Sequence, residues 1–457
     1  MDAKKFFKRK ESTKIEMLFF IVSVLFGLSF LFAHMGADDV STQQYFEKSF
    51  MQGVKWIMDV IVTWSSRLLI NMVFMIVRRY YNPLIYLYAA GSMYVIQKSL
   101  YLLIGKREDF HLALFISSVS LSFPFVILST SGWIMGTTSY YGPACCMLAA
   151  MVPIRKTYDG EKLKLWEELL YVLIVIYAAN GEQNVVVLLG IYTVAFVYFL
   201  LKKNLRARIV ILWILTGFSF AYMLLCPGNY ARSEANEAYW FPAYGMLDPI
   251  DKFEIGLSTT LRYIFCESEL LILICLFVMM LFIWRKYSDF LFRVISVVPF
   301  AAAVLLGPLR TVLTVISPAA TVLYAQIDYH GAYNAASMAR GSGPLQFVIF
   351  LILIACICAE IFLINDTPEG IVCDLSLAVM GVGSRVMLGF SPTIYASSTR
   401  TYTAMLMCFS AIAVHDYANY RKQFGTIGKR TRMLYVCGAL LVYGFLVLIS
   451  GFAGMFV

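Results

Sequence analysis

Apolar runs long enough to cross a bilayer recur from one end of the chain to the other, and they limit the fold more than any other feature. The first, "MLFFIVSVLFGLSFLF", begins at Met17. A helix needs about 20 such residues to span the ~30 Å hydrocarbon core. The runs are continuous, whereas a membrane barrel would alternate apolar and polar positions. Of 457 residues, 60% are hydrophobic and 14% charged, against about a quarter charged in soluble domains. The chain therefore reads as an all-α, polytopic integral membrane protein.

Its charges set an orientation. The flank "MDAKKFFKRKESTK" precedes the first run with six Lys/Arg and two acids. It is like the n-region of a signal peptide, but the run is too long and no small-residue cleavage site follows. An uncleaved first helix with a cytoplasmic N-terminus is expected. The net charge of +9 is spread over short basic loops, which is orientation chemistry and argues against nucleic acid as a partner. Six basic stretches, at 4–10, 105–109, 154–164, 201–208, 284–293 and 420–432, share one side only if an even number of crossings separates any two. That parity gives about 13 transmembrane helices in a single domain, 1–457. It leaves 36–82 as a first outer loop and 227–264 and 310–343 as further long outer loops. An apolar piece in the last, broken at Ser317 and Pro318, is read as non-crossing.

Two stretches of the first outer loop are amphipathic. Phe46, Phe50, Val54, Ile57 and Ile61 form one stripe, and Arg67, Asn71 and Arg78 share a face at helical spacing. Both are expected to be juxtamembrane helices on the outer surface. Most of the ten cysteines sit inside apolar runs, a packing use. Only Cys226 and Cys266 share a predicted outer loop, and free thiols are favoured there over a disulfide.

Unusual residues gather on the outer side. "GADDV" carries Asp38 and Asp39, and "TWSSR" ends at Arg67. "TSGWIMGTTSYYGP" carries Trp133, Tyr140 and Tyr141, and "AANGEQNVV" carries Glu182. "LLCPGNYARSE" carries Asn229 and Arg232, and "GFSPTIYASSTRTYT" carries Arg400. Each has an ordinary reading: a solvated loop charge, a snorkelling or anchoring arginine, an acid at a helix N-terminus, an aromatic belt. Together they put the working side outside, beyond reach of ATP and sugar nucleotides. An enzyme there needs a donor carried across the membrane, such as a polyprenyl-phosphate conjugate. No His/Asp/Glu cluster with ligand spacing is visible, so no metal ligand is assigned and a divalent cation stays open as a cofactor.

An N-terminal crossing, an acidic pair opening the first outer loop, two juxtamembrane helices and many further crossings resemble the GT-C superfamily of glycosyltransferases. The closer likeness is to the bacterial branch that decorates wall polysaccharides and O-antigens. The matching stretches are "GADDV", "TWSSR", "GWIMGTTSYYGP", "GEQN", "PGNYARS" and "SPTIYASSTR". Ser66 departs from the Gly usual in a Trp-Ser-Gly-Arg-like run, and no large soluble C-terminal domain is seen. The resemblance implies a plasma-membrane enzyme with an extracytoplasmic active site. It would move a sugar from polyprenyl phosphate to a cell-wall or surface polysaccharide, with inversion. Asp38 is then the first choice as general base, with Asp39 in acceptor orientation or metal contact. Arg232, Arg400 and Arg67 would bind the donor phosphate. Glu182, Asn229, Trp133, Tyr140 and Tyr141 would contact substrate or orient these groups. Two rivals stay open: a many-spanning polysaccharide polymerase or ligase, and a lipid-linked sugar transporter or flippase. The latter draws on Asp374 and Arg385, on one helix face ~16 Å apart.

Overall fold

A computed structural model describes residues 3–47, 49–105, 109–317, 342–425 and 430–453. Most of the expected second long loop (residues 318–341, with the break at Pro318) lies outside the described residues, as do 106–108 and 426–429 of two basic stretches. Among the described residues the secondary structure is all helical, with no strand. Six helices are long and apolar enough to cross a membrane: Glu11–Phe32, Phe110–Ser129, Glu182–Leu201, Ala207–Leu225, Pro368–Phe390 and Leu434–Phe452. Two bent pairs, Pro249–Cys266 with Leu270–Lys286 and Phe290–Leu306 with Arg310–Ile316, raise the number to eight if each pair is one span. Further helices stand where crossings were expected but are shorter or more polar. They are Tyr81–Leu103, Gly142–Tyr158, Leu165–Ala178, Val348–Ile364 and Thr403–Phe424.

The chain forms two compact units. The first comprises 1–235, 397–407 and 426–457, and the second 236–396 and 408–425. In the first unit, Gln97 donates to Ser23 Oγ at 3.1 Å and accepts from Ser117 Oγ at 2.6 Å. One amide thus ties three apolar helices where no water competes. Beside it, Phe26, Phe123, Phe125 and Tyr141 pack ring on ring.

Both stretches expected to form juxtamembrane helices are helical, at Phe50–Thr63 and Leu68–Arg79. Phe46 and Ile57 of the first stripe are buried, while Phe50 is half exposed. In the second helix the polar face turns inward: Asn71 and Arg78 are buried, and Met72 and Ile76 face out. An apolar outer face suits a helix lying against lipid.

The stretch 227–264, of which 236–264 belong to the second unit, is mainly helix rather than open loop. The Pro249–Cys266 helix starts at a capping box. Asp248 Oδ1 accepts from the N–H groups of Ile250 and Asp251 at 2.8 Å each, and Asp251 Oδ2 accepts from the Asp248 N–H at 3.3 Å. Pro249 at its first position adds a preset φ. All ten cysteines, Cys226 and Cys266 included, are free thiols.

Candidate functional site

The two adjacent aspartates face opposite ways. After the first helix, Ala37 takes a positive φ of 43° and a single turn, Asp38–Ser41, follows. The Asp38 N–H donates to the Ser131 carbonyl at 3.3 Å, which fixes the turn against the "SGWIMG" segment. Asp39 is fully buried. Its Oδ2 accepts from the Ile134 N–H at 3.0 Å and its Oδ1 from the Met135 N–H at 2.8 Å. A helix start leaves such donors without partners, so Asp39 caps the Trp133–Gly136 helix. Arg78 Nε donates to the Asp39 main-chain carbonyl at 3.1 Å. Burial pushes the Asp39 carboxyl up to about 6, against the pull of the two N–H groups and Arg78. Gly132 makes this contact possible. Its φ is +92°, and a Cβ there would lie 2.6 Å from the Asp39 carboxylate.

Asp39 is thus turned inward as a cap and is not an accessible carboxylate. Both of its oxygens are already bound. Asp38 keeps an exposed side chain. The surrounding protein raises its carboxyl above the ordinary value, and the positive charge of Arg400 opposes that rise.

A second group of predicted residues meets at Glu182, the first residue of the Glu182–Leu201 helix. Its Oε2 accepts from Arg67 Nε at 3.0 Å and from Arg67 Nη2, and its Oε1 accepts from Arg232 Nη2 at 3.0 Å. Burial works against the Arg67 charge, and Glu182 more than offsets it, holding the guanidinium above its ordinary pKa. Local structure delivers each partner. Arg67 stands at the start of the Leu68–Arg79 helix, where Asn180 Oδ1 accepts from the Leu69 and Ile70 N–H groups at 2.9 and 3.1 Å. Arg232 and Asn229 lie in the Pro227–Trp240 helix. Asn229 Oδ1 accepts from the Ser66 N–H at 3.3 Å, and its Nδ2 donates to Ser66 Oγ at 3.2 Å. The serine that departs from the expected glycine is thus a hydrogen-bond partner. Gly228 allows the approach, since a Cβ there would lie 2.7 Å from the Ser65 nitrogen.

Tyr140 joins the two groups. Arg400 Nε donates to its hydroxyl at 3.2 Å, and the Arg67 guanidinium lies 4.8 Å from its ring centroid. Arg400 Nη1 also donates to the Thr130 carbonyl at 3.3 Å and to Thr130 Oγ1 at 3.4 Å. These acceptors are neutral, so the Arg400 charge is not spent on a bonded carboxylate.

Arg67, Tyr140, Glu182, Asn229, Arg232 and Arg400 therefore lie in one network of contacts in the first unit, and Asp38 lies within the field of Arg400. Trp133 and Tyr141 lie apart from this network. Trp133 packs on Phe452 with centroids 4.4 Å apart, and Tyr141 is fully buried among phenylalanines. Successive residues of a helical turn diverge by about 100°, so Tyr140 and Tyr141 cannot both face one site. Asn180, Ser66 and Thr130 went unassigned, although all three lie in segments singled out above. The second unit gathers Asp374, His415 and Asp416, three potential ligands that the sequence spacing does not bring together. The signal was "AVHDYANY", a His-Asp pair inside an apolar stretch.

Chemically, an accessible carboxylate beside a guanidinium with neutral partners can take a proton next to a bound anion. Glu182 keeps two further arginines in place and cancels one of their charges. No protein-family model, curated protein or solved structure matches this chain.

Proposed function

We propose that the chain is a GT-C-type glycosyltransferase with thirteen crossings, the shorter and more polar helices included. It moves a sugar from polyprenyl phosphate to a surface glycan on the extracytoplasmic face of the plasma membrane. The observation that carries this reading is the exposed carboxylate of Asp38 within the field of Arg400. In this reading Asp38 takes the proton from an acceptor hydroxyl as its oxygen attacks the sugar C1. The bond from C1 to the phosphate oxygen breaks, and the electron pair leaves on the lipid phosphate. Arg400 meets that developing charge, and Arg232 and Arg67 add to the positive field. A single displacement of this kind inverts C1. Asp39 positions Asp38 by holding the turn.

The test is transfer of a radiolabelled sugar from synthetic polyprenyl-phosphate donors to cell-wall glycan by the purified chain. Asp38→Asn is expected to lower transfer by ~10²–10⁴-fold with thermal stability unchanged. Unchanged transfer in that variant would rule out the mechanism. If no donor is used while lipid-linked sugar moves between liposome leaflets, the class itself is wrong.

A further inference from the structure

The second unit carries a buried polar cluster that takes no part in this chemistry. Asp374 stands in the Pro368–Val386 helix, and His415 and Asp416 in the Thr403–Phe424 helix. His415 Nδ1 lies 2.7 Å from Asp374 Oδ1 and 3.9 Å from Asp416 Oδ1. One ligand atom from each residue falls within 4.8 Å of the others. Asp416 is 1% exposed, and among the described residues no N–H or hydroxyl donor reaches its carboxylate oxygens, which lie against Asp374 instead. Glu360 adds an independent sign. It is also 1% exposed with both oxygens unpartnered, and it lies close enough to Asp416 for their charges to interact.

Three carboxylates thus share an apolar interior with one imidazole. Buried carboxylates are strongly unfavourable unless positive charge or donors reach them. The charge missing here is positive, and it must fit between two acid oxygens and a ring nitrogen. A divalent cation meets that need. The nitrogen donor favours a transition metal over Mg²⁺ or Ca²⁺, which take oxygen ligands. The surroundings are arranged as a supporting shell. Asn365 Nδ2 donates to Asp374 Oδ2 at 2.6 Å, and the Asn419 amide lies 3.1 Å from His415 Nε2, where its oxygen, once the amide is flipped, would accept from the Nε2–H of a metal-bound imidazole. The His415 side chain is 20% exposed.

We propose that Asp374, His415 and Asp416 bind one divalent transition-metal ion, of the Zn²⁺ or Mn²⁺ kind, that clamps their two helices together. Asp374 and Asp416 each give a carboxylate oxygen and His415 gives Nδ1. The remaining positions are left to water or to a small movement of Glu360.

The full chain, purified in detergent and stripped with a chelator, is loaded with Zn²⁺ or Co²⁺ alone and desalted. About one metal per chain is expected to stay bound. The Co²⁺ form should show the visible absorption of a low-symmetry nitrogen and oxygen site, and the unfolding temperature should rise by a few degrees. Asp416→Asn removes a buried charge at constant shape, so it should fold, hold no metal and show no thermal response. Asp38→Asn, in the other unit, should load as wild type does. Wild-type protein that keeps no metal and gives no Co²⁺ spectrum overturns the proposal, with no variant needed. Equal metal content in wild type, Asp416→Asn and His415→Gln overturns it as well. Loss of metal with sugar transfer intact supports the clamp and leaves the transferase reading standing.

Discussion

Arg400 hydrogen-bonds to Tyr140 through Nε at 3.2 Å, and this contact holds an arginine whose bonded acceptors among the described residues are neutral. The phenol fixes the plane of the guanidinium, so its fork is aimed before a substrate arrives. Arg400→Lys keeps the charge and loses the planar fork. We expect sugar transfer to fall by ~10²-fold, mostly in kcat. Tyr140→Phe leaves the arginine in place but loosely held, and a fall of about tenfold is expected. Equal losses in the two variants, or a change in KM alone, would mean that the contact is only structural.

Asp39 and Asp38 should separate by assay. Asp39→Ala removes a cap from two N–H donors, and a loss of about 1–3 kcal/mol is expected. Its pH dependence has a definite sign. The folded-state pKa of about 6 lies above the ordinary carboxylate value. Between pH 4 and 6 the folded chain therefore holds a proton that the unfolded chain has released. Stability contributed by this group is present at low pH and lost as pH rises to about 6, by at most ~3 kcal/mol. The measurement is the unfolding midpoint from pH 4 to 7, wild type minus Asp39→Asn. A flat difference would show that Asp39 ionises normally in the fold.

Much of this architecture is legible in the chain because a bilayer demands long apolar runs, and polar residues at their ends stand out against them. That contrast marked Arg67, Glu182, Arg232 and Arg400 before any contact was known. It is blind to facing. Nothing in "ADDV" says which carboxylate turns inward, because the answer lies in the N–H groups of Ile134 and Met135, 95 and 96 residues away. Tyr140 and Tyr141 are alike in composition, and only the turn of the helix sends one to the arginines and the other to the phenylalanines. Arg78, on the inward face of the Leu68–Arg79 helix, likewise finds its partner 39 residues away, at the Asp39 carbonyl. Asp374 and His415 are 41 residues apart, so no local spacing betrays their cluster.

Glu182 lies between Arg67 and Arg232, and its loss should act through both. Glu182→Gln removes the carboxylate that lies between two partly buried guanidiniums. A destabilisation of ~2–3 kcal/mol is expected, below the value for a fully buried pair because solvent reaches part of the cluster. Adding Arg67→Gln relieves the repulsion, so the double variant should be more stable than Glu182→Gln alone. A thermal-unfolding cycle over the four proteins gives the coupling. Additive losses would mean that the two side chains act independently.

Gly132 gives the strictest geometric test. Its φ of +92° already disfavours any side chain, and a Cβ would also meet the Asp39 carboxylate at 2.6 Å and the Gly36 carbonyl at 2.5 Å. Gly160 is the control, since its φ is +74° with nothing within 4 Å of an added Cβ. Gly160→Ala carries only the backbone term, about 1 kcal/mol. Gly132→Ala adds the clash with backbone and with a carboxylate held by two N–H groups, neither of which can swing aside. A loss of more than ~3 kcal/mol is expected, with sugar transfer falling because the Asp38 turn moves with Asp39. Thermal unfolding of the two alanine variants checks this directly. Equal losses would mean that the Asp39 cap yields easily, and that it does not fix the position of Asp38.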